Sequence, residues 1–310
     1  MKRSALKIAI VAGSILAMLT QIQAHATVIA AIMSSDQPRY RDAHQAFVKA
    51  MAMRGYSLPG TEIILQTSNP DQLSWSSTIR KFNAQRPDLI VAYGAPAALT
   101  AFQEVEGIPV VSADVFAAEQ TQKGMCGASS RVPMVTLLKT LQGIRTYRSI
   151  GVLYMPREAG SQRQLDDIKR YSGQLGMTVL EGSVTSAATL ESALNTLLDK
   201  AEVLVVAEGG LISSQFVRIV NKARVRNIPV VSTMPDAAEK GAFVSLEINP
   251  QEQGGLAAEI ASRILEGAKT EHLSMISPQR IDLVINIRVA REMAIEIPVT
   301  VLKTATRLIN

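Results

Sequence analysis

Cysteine occurs once among the 310 residues, at Cys126, so no disulfide can close within the chain. A fold of this length buries enough apolar surface to stand without one. Cys126 reads as a small buried hydrophobe, with a reactive thiol as the alternative. Histidine is almost as scarce, with His25, His44 and His272 the only three. No Cys/His cluster has metal-ligand spacing, so a structural zinc site is excluded and no metal is expected. Aromatics make up 4% of the chain and no Lys/Arg-rich stripe is present, which leaves nucleic-acid binding without support. Neither G-x-G-x-x-G nor G-x-x-x-x-G-K occurs, so no nucleotide cofactor is implied. Gly127-Ala128-Ser129-Ser130-Arg131 begins like a nucleophile elbow but lacks the closing glycine and the strand-to-helix setting. No catalytic residue and no cofactor is expected. Low-complexity tracts are absent.

The first residues have the layout of a secretory leader. Lys2, Arg3 and Lys7 form a basic start, Ile8 to Leu19 an apolar run, and Ala24-His25-Ala26 a small-residue cleavage pattern. The apolar run is too short to span a membrane, which takes about 20 residues. An uncleaved N-terminal anchor is the alternative. Cleavage after Ala26 removes three basic residues and no acidic one, taking the formal charge from +5 to about +2. The basic balance of the whole chain thus owes much to the leader.

What remains contains an internal repeat. Ile108-Pro109-Val110-Val111-Ser112 recurs 120 positions later as Ile228-Pro229-Val230-Val231-Ser232. Leu89–Tyr93 is matched by Val203–Ala207, and Thr27–Met33 by Ser149–Met155. Short β-branched runs alternate with helix-period segments throughout, which predicts parallel sheets flanked by helices. In the first copy strands are expected at Val28–Met33, Glu62–Gln66, Leu89–Tyr93 and Val110–Ser112, and helices at Tyr40–Arg54, Trp75–Gln85 and Pro96–Glu106. In the second, strands are expected at Gly151–Tyr154, Thr178–Leu180, Val203–Ala207 and Val230–Ser232, and helices at Ser161–Leu175, Thr189–Lys200 and Ser213–Arg226. A strand at Ala242–Leu246, a helix at Gly255–Leu265, a strand at Leu283–Asn286 and a short helix at Val289–Met293 follow both copies. These late segments predict that the chain recrosses and completes each lobe.

Two similar lobes create a cleft, the usual place for a small ligand. In open parallel sheets the ligand sits beyond the carboxyl ends of the strands. That rule selects the loops Ser34–Arg39, Gly94–Pro96 and Ala113–Phe116 in one lobe, and Pro156–Gly160, Glu208–Leu211 and Thr233–Asp236 in the other. Within them Ser34 and Ser35 read as turn residues or ligand contacts, and Gly209-Gly210 as backbone geometry or a ligand approach. Asp236 with Glu239 matches a capping box, so a helix cap competes there with a ligand role. Glu208 and Asp114, at strand ends, read as ligand or hinge groups or as solvated carboxylates.

These residues together resemble the tryptophan/tyrosine-type substrate-binding proteins of ABC transporters, over about Val28 to Pro298. The matching landmarks include Arg86-Pro87-Asp88-Leu89-Ile90-Val91 before Gly94-Ala95-Pro96-Ala97-Ala98, the two Ile-Pro-Val-Val copies, and Gly127-Ala128-Ser129 with Pro133. Further on come Lys240-Gly241-Ala242, Gln253-Gly254, Ile264-Leu265-Glu266-Gly267 and Leu283-Val284-Ile285-Asn286. The resemblance implies an α/β fold of two Rossmann-like lobes with parallel sheets, a type I periplasmic-binding architecture with hinge crossovers and a ligand cleft. It implies ligand-facing positions at Ser34, Gly94, Ala95, Ser112, Ala113, Ser129, Ser130, Glu208 and Asp236. Ser35, Pro96, Asp114 and Gly209 join them from the strand-end rule. The chain departs from the family pattern at three places. Ala95 stands for a Thr, Ser129-Ser130 for a Ser-Asp, and Gly209-Gly210 for an Asp-Asn, so an aromatic amino acid is not directly implied.

The expected organisation is a signal peptide at 1–26, one lobe of 27–115 plus 247–275, a second of 130–241 plus 280–310, and hinges at 116–129, 242–246 and 276–279. The expected partners are a small polar, amino-acid-like ligand and a membrane ABC permease, with no nucleic acid. The protein is expected to be periplasmic, monomeric and not an enzyme. A ligand sensor reporting to a membrane receptor and a cleft enzyme are the alternatives.

Overall fold

Runs of β-branched and apolar residues take the strands, and the segments with helical spacing wrap them. The computed structural model describes residues 26–116 and 124–310. The leader before Ala26 and residues 117–123 of the expected first hinge lie outside the described residues. Chain order runs β1 (Thr27–Met33), α1 (Pro38–Met53), β2 (Thr61–Gln66), α2 (Gln72–Gln85), β3 (Leu89–Tyr93), α3 (Ala95–Glu104), β4 (Val110–Val115) and β5 (Cys126–Ser129). It continues with α4 (Met134–Ile144), β6 (Ser149–Tyr154), α5 (Ala159–Gln174), β7 (Thr178–Ser183), α6 (Ala187–Leu198), β8 (Val203–Val206), α7 (Gly210–Ser214), α8 (Phe216–Val225), β9 (Val230–Ser232) and β10 (Val244–Ile248). Last come α9 (Pro250–Leu265), β11 (Met275–Ile276), β12 (Ile281–Asn286), α10 (Ile287–Glu292), α11 (Val299–Leu302) and β13 (Arg307–Ile309).

The strands form two sheets, in the orders β11-β5-β4-β3-β1-β2 and β13-β12-β10-β9-β8-β6-β7. The repeat is visible in that order. The block β2-β1-β3-β4 of the first sheet corresponds strand for strand to β7-β6-β8-β9 of the second, all parallel. The sheets differ only at their far edges, where β12 runs antiparallel to β10. Both faces of each sheet are covered. Ile29, Ala31 and Met33 of β1 pack with α1 and α9, while Ala30 and Ile32 pack with α2 and α3. Helix α1 buries Tyr40, Ala43, Phe47, Ala50 and Met51 on one stripe, and α6 buries Leu190, Leu194, Leu197 and Leu198 on another.

The structure corrects three expectations. Residues 242–246 are not a crossover, because Val244–Ile248 is a strand of the second sheet, with Val244 paired to Val231 on one side and to Ile285 on the other. All five of its residues are buried between those neighbours, so the passage back to the first lobe falls at Asn249. The other passages lie at 130–133, after β5, and at 277–280, after β11. Residues 126–129, expected within a hinge, pair with β4 in the first sheet. The single helix expected over Ser213–Arg226 is two, α7 and α8, parted at Gln215. Helix α4 and strands β11 and β13 are not among the expected elements, although α4 carries an apolar stripe at Met134, Leu137, Leu138, Leu141 and Ile144.

Helix α9 returns from the second lobe to pack on α1 in the first. Gly254 makes this possible, since a Cβ there would overlap the Ala43 carbonyl oxygen and the Phe47 nitrogen. Backbone thus meets backbone, and the neighbouring Gln253 is driven into the ends of β4 and β5. Among the described residues no helix is long and apolar enough to cross a membrane.

Candidate functional site

Arg39 stands in the first turn of α1, where the helix dipole opposes a positive charge. It is held there by Asp114 at the end of β4. Arg39 Nε donates to Asp114 Oδ2 at 2.5 Å and Nη2 donates to Oδ1, a two-pronged pair with both side chains nearly buried. Burial disfavours the guanidinium charge, but Asp114, with further help from Tyr40 and Glu208, holds it above its usual range. Asp114 occupies the left-handed region, φ 60°. Its N–H donates to Gln253 Oε1 at 3.0 Å, and Gln253 Nε2 donates to the Ser129 carbonyl at 3.1 Å. One buried glutamine from a late helix therefore fixes the ends of two strands.

Beside this pair the β1 and β3 ends meet. Ser34 Oγ accepts from Ala97 N at 3.0 Å and so caps α3, while its carbonyl accepts from Trp75 Nε1. Gly94 has φ 85°, and a Cβ there would overlap the Tyr40 hydroxyl and Ser34 Oγ. The glycine is required by this approach as well as by the backbone. Ser35, Ala95 and Pro96 are half-buried on the same rim.

The second lobe answers with carboxylates. Glu208, half-buried at the end of β8, has its N–H bonded to Gln164 Oε1 at 3.1 Å. Its side chain receives only a long contact from Thr233 Oγ1, 3.5 Å. Burial pushes the Glu208 carboxyl up to about 7, with Asp114 and Glu158 adding to the rise and Arg39 opposing it. Glu158, ahead of α5, accepts from Gly210 N at 2.9 Å and is also raised by burial. Gly209 leads into α7 in an extended conformation, against Met155.

The structure thus brings Ser34, Gly94, Ala95 and Asp114 from one lobe towards Glu208 and Gly209 from the other. The lobes touch directly where Phe116 packs on Gly160. A pocket of about 200 Å³ opens between them, lined by Gln37 and Arg39 on one side and by Ser213, Phe216, Met234 and Lys240 on the other. Among the described residues, the hydroxyl of Ser130, 1% exposed in the crossover, has no partner, and neither does the Nε2 of the fully buried Gln164. Buried polar groups are rarely left so, and each can serve a bound molecule.

Other expected positions serve the scaffold. Ser112 is fully buried, with its hydroxyl bonded to the Cys126 carbonyl and the Met275 sulfur. Its repeat partner Ser232 likewise spends its hydroxyl on the Val206 carbonyl. Ala113 is buried beneath the rim, and Ser129 Oγ accepts from Arg131 N. Asp236 does not cap a helix: residues 235–241 form turns, Asp236 has φ 57°, and the buried Ala237 and Ala238 hold the chain against the core. Its carboxylate groups instead with Glu239 and Glu247, which Arg307 binds. Cys126 is buried, with its thiol pushed up to about 12, and is a hydrophobe. Arg39, Gln164 and Gln253 are the site residues that reading the chain missed. Their signals were a cation just inside a helix start and, for Gln253, a glutamine on a mostly apolar helix face.

Comparison with known proteins bears on the fold and the family. The chain is 24% identical over 262 residues to a tyrosine-binding protein of Clostridioides difficile strain R20291, covering 81% of this chain and 76% of that one. It superposes on an ABC domain in complex with L-Trp from Streptococcus pneumonia with a TM-score of 0.85, at 23% identity, over 92% of this chain and 100% of that one. A ligand-free, open substrate binding protein from Clostridium difficile matches with a TM-score of 0.72, at 24% identity, over 92% and 99%. The two α/β lobes are a type I periplasmic-binding fold, and the role of such proteins is binding rather than catalysis. The model of the ABC transporter substrate binding protein family matches residues 28–309, and the chain belongs to that family.

Proposed function

We propose that this protein is exported to the periplasm, captures a small polar, amino-acid-like metabolite between its lobes, and delivers it as a monomer to an ABC permease for import. The observation that carries this reading is the meeting of charged groups from both lobes in one cleft, with Arg39 and Asp114 facing Glu208 and Glu158. A ligand that touches both sets stabilises the closed form by its preference for it, and the permease reads the closed surface. The tyrosine-binding relative and the L-Trp complex support an amino-acid-like ligand.

The test has two parts. Mass spectrometry of molecules released from denatured protein should identify one bound small metabolite. Adding that metabolite to the emptied protein should reduce the radius of gyration in small-angle scattering. Saturating ligand with no contraction and no thermal shift rejects the mechanism. Intact mass of periplasmic material should begin at Thr27, and retention of Met1 would favour an anchor.

A further inference from the structure

The charges around the cleft do not balance. Asp114 and Glu158 surround the Glu208 side chain together with a single guanidinium, Arg39. Arg39 is already matched, since Asp114 binds it through two N–H groups. Glu158 and Glu208 are left without a side-chain cation: one receives the Gly210 amide, the other a long contact from a hydroxyl. Lys240, the other cation lining the pocket, is exposed and rests against the Pro235 carbonyl at 3.5 Å. Arg131, in the crossover, is paired with Asp167. Uncompensated carboxylates leaving water are costly, and closure of the lobes over a ligand deepens that burial.

Two further groups point to a ligand. Gln164 Oε1 holds Glu208 N, yet the Nε2 of the same amide has no partner although the residue is fully buried. This is a donor waiting for an acceptor. The hydroxyl of Ser130, where the family pattern has Asp, is unpartnered too. The cleft therefore asks for cationic nitrogen on the Glu208–Glu158 side and for one oxygen acceptor beside it. A neutral amino acid brings one positive and one negative charge and leaves the excess unchanged.

Resting on the reading that a small metabolite closes this cleft, we propose that the ligand is a basic amino acid, with Glu208 as direct acceptor of a cationic nitrogen and Glu158 as the second negative charge. Its carboxylate takes the free donors of Gln164 and Ser130. The side chains facing Glu208 are Arg39 and Tyr40 of α1, Asp114 of β4, Glu158 ahead of α5 and Thr233 after β9. Of these Glu158 titrates in the same direction as Glu208, so both gain charge, and the site gains affinity for a cation, as pH rises.

The experiment is calorimetric titration of the mature protein, stripped of carried-over ligand by unfolding and refolding, with L-lysine and L-arginine beside L-tryptophan and L-tyrosine. One of the basic amino acids should bind at least tenfold more tightly than either aromatic. Its affinity should fall about tenfold or more in Glu208→Gln, and should rise between pH 6 and pH 8 in the unaltered protein. The pH series decides the matter even if Glu208→Gln fails to fold. Tighter binding of tryptophan or tyrosine, or lysine and arginine affinities indifferent to both Glu208→Gln and pH, overturns the charge argument while leaving the solute-binding reading intact. If the refolded protein binds none of the four and its released metabolite carries no basic nitrogen, the proposal is wrong. If it also shows no contraction with that metabolite, the solute-binding reading fails with it.

Discussion

The two lobes share a strand order but not the state of their ligand-facing edges. In the first lobe, the charged groups are matched internally. Arg39 and Asp114 neutralise each other, Ser34 caps α3, and Gln253 satisfies the Asp114 amide and the Ser129 carbonyl. In the second lobe, Glu158 has the Gly210 amide and Glu208 one distant hydroxyl for company. One edge is matched as it stands, and the other is the one the proposed ligand would complete. Duplication of a β/α unit made the frame symmetric, while the chemistry of recognition is asymmetric because it resides in loops that the sheet does not constrain.

The comparison breaks most sharply at Arg39. Arg39→Ala leaves Asp114 buried beside Glu208 with no cation, and loss of one partner of a buried pair costs about 3–5 kcal/mol. Urea unfolding should show that loss. A change under about 1 kcal/mol would mean that the first lobe is not internally matched. Glu208→Gln should act in the opposite direction. A carboxyl raised to about 7 in the folded state is harder to ionise there than in the unfolded chain. Its destabilising effect is absent below about pH 4.5, grows as pH rises, and is complete above about pH 7. The ligand-free variant should therefore be more stable than the parent by roughly 2–3 kcal/mol at pH 8 and by almost nothing at pH 4.5. Equal stability at both pH values would show that Glu208 is solvated like a surface carboxylate.

Gln253→Ala tests how the first edge is held. It strands a buried N–H and a buried carbonyl, and should lower stability by about 1–3 kcal/mol and weaken ligand binding through a displaced Asp114. Thermal unfolding and calorimetry on the same sample separate the two effects. Smallest of all, Ser130→Ala removes a hydroxyl that has no partner among the described residues. Unfolding should change by no more than about 0.5 kcal/mol, while ligand affinity falls several-fold. Unchanged affinity would remove Ser130 from the site.

Much of the frame was legible in the chain. The repeat around Ile108 and Ile228 announces two sheets, and the stripes at Tyr40–Met51 and Leu190–Leu198 announce which helix faces are buried. The strand-end rule selects these loops because parallel β/α units always turn there. It could not say which residues in those loops meet. Ser112 lies in a loop-proximal position yet points its hydroxyl into the sheet, and Asp236 lies in a selected loop yet joins Glu239 and Glu247. Arg39 and Asp114 are 75 positions apart, and Gln253 is 139 from Asp114. No periodicity links such pairs.

By itself the sequence determined two β/α units and the loops at their mouths, since these follow from local spacing of apolar residues and from repetition. Tertiary structure alone decided the rest. Val244–Ile248 is apolar enough for either lobe, and only its pairing with β9 and β12 assigns it to the second. Glu208 is one carboxylate among many in the chain, and only its burial next to Asp114 and Glu158, with Arg39 already taken, singles it out for the proposed ligand. Charge has meaning through distance and access to water, and both are set when the lobes come together.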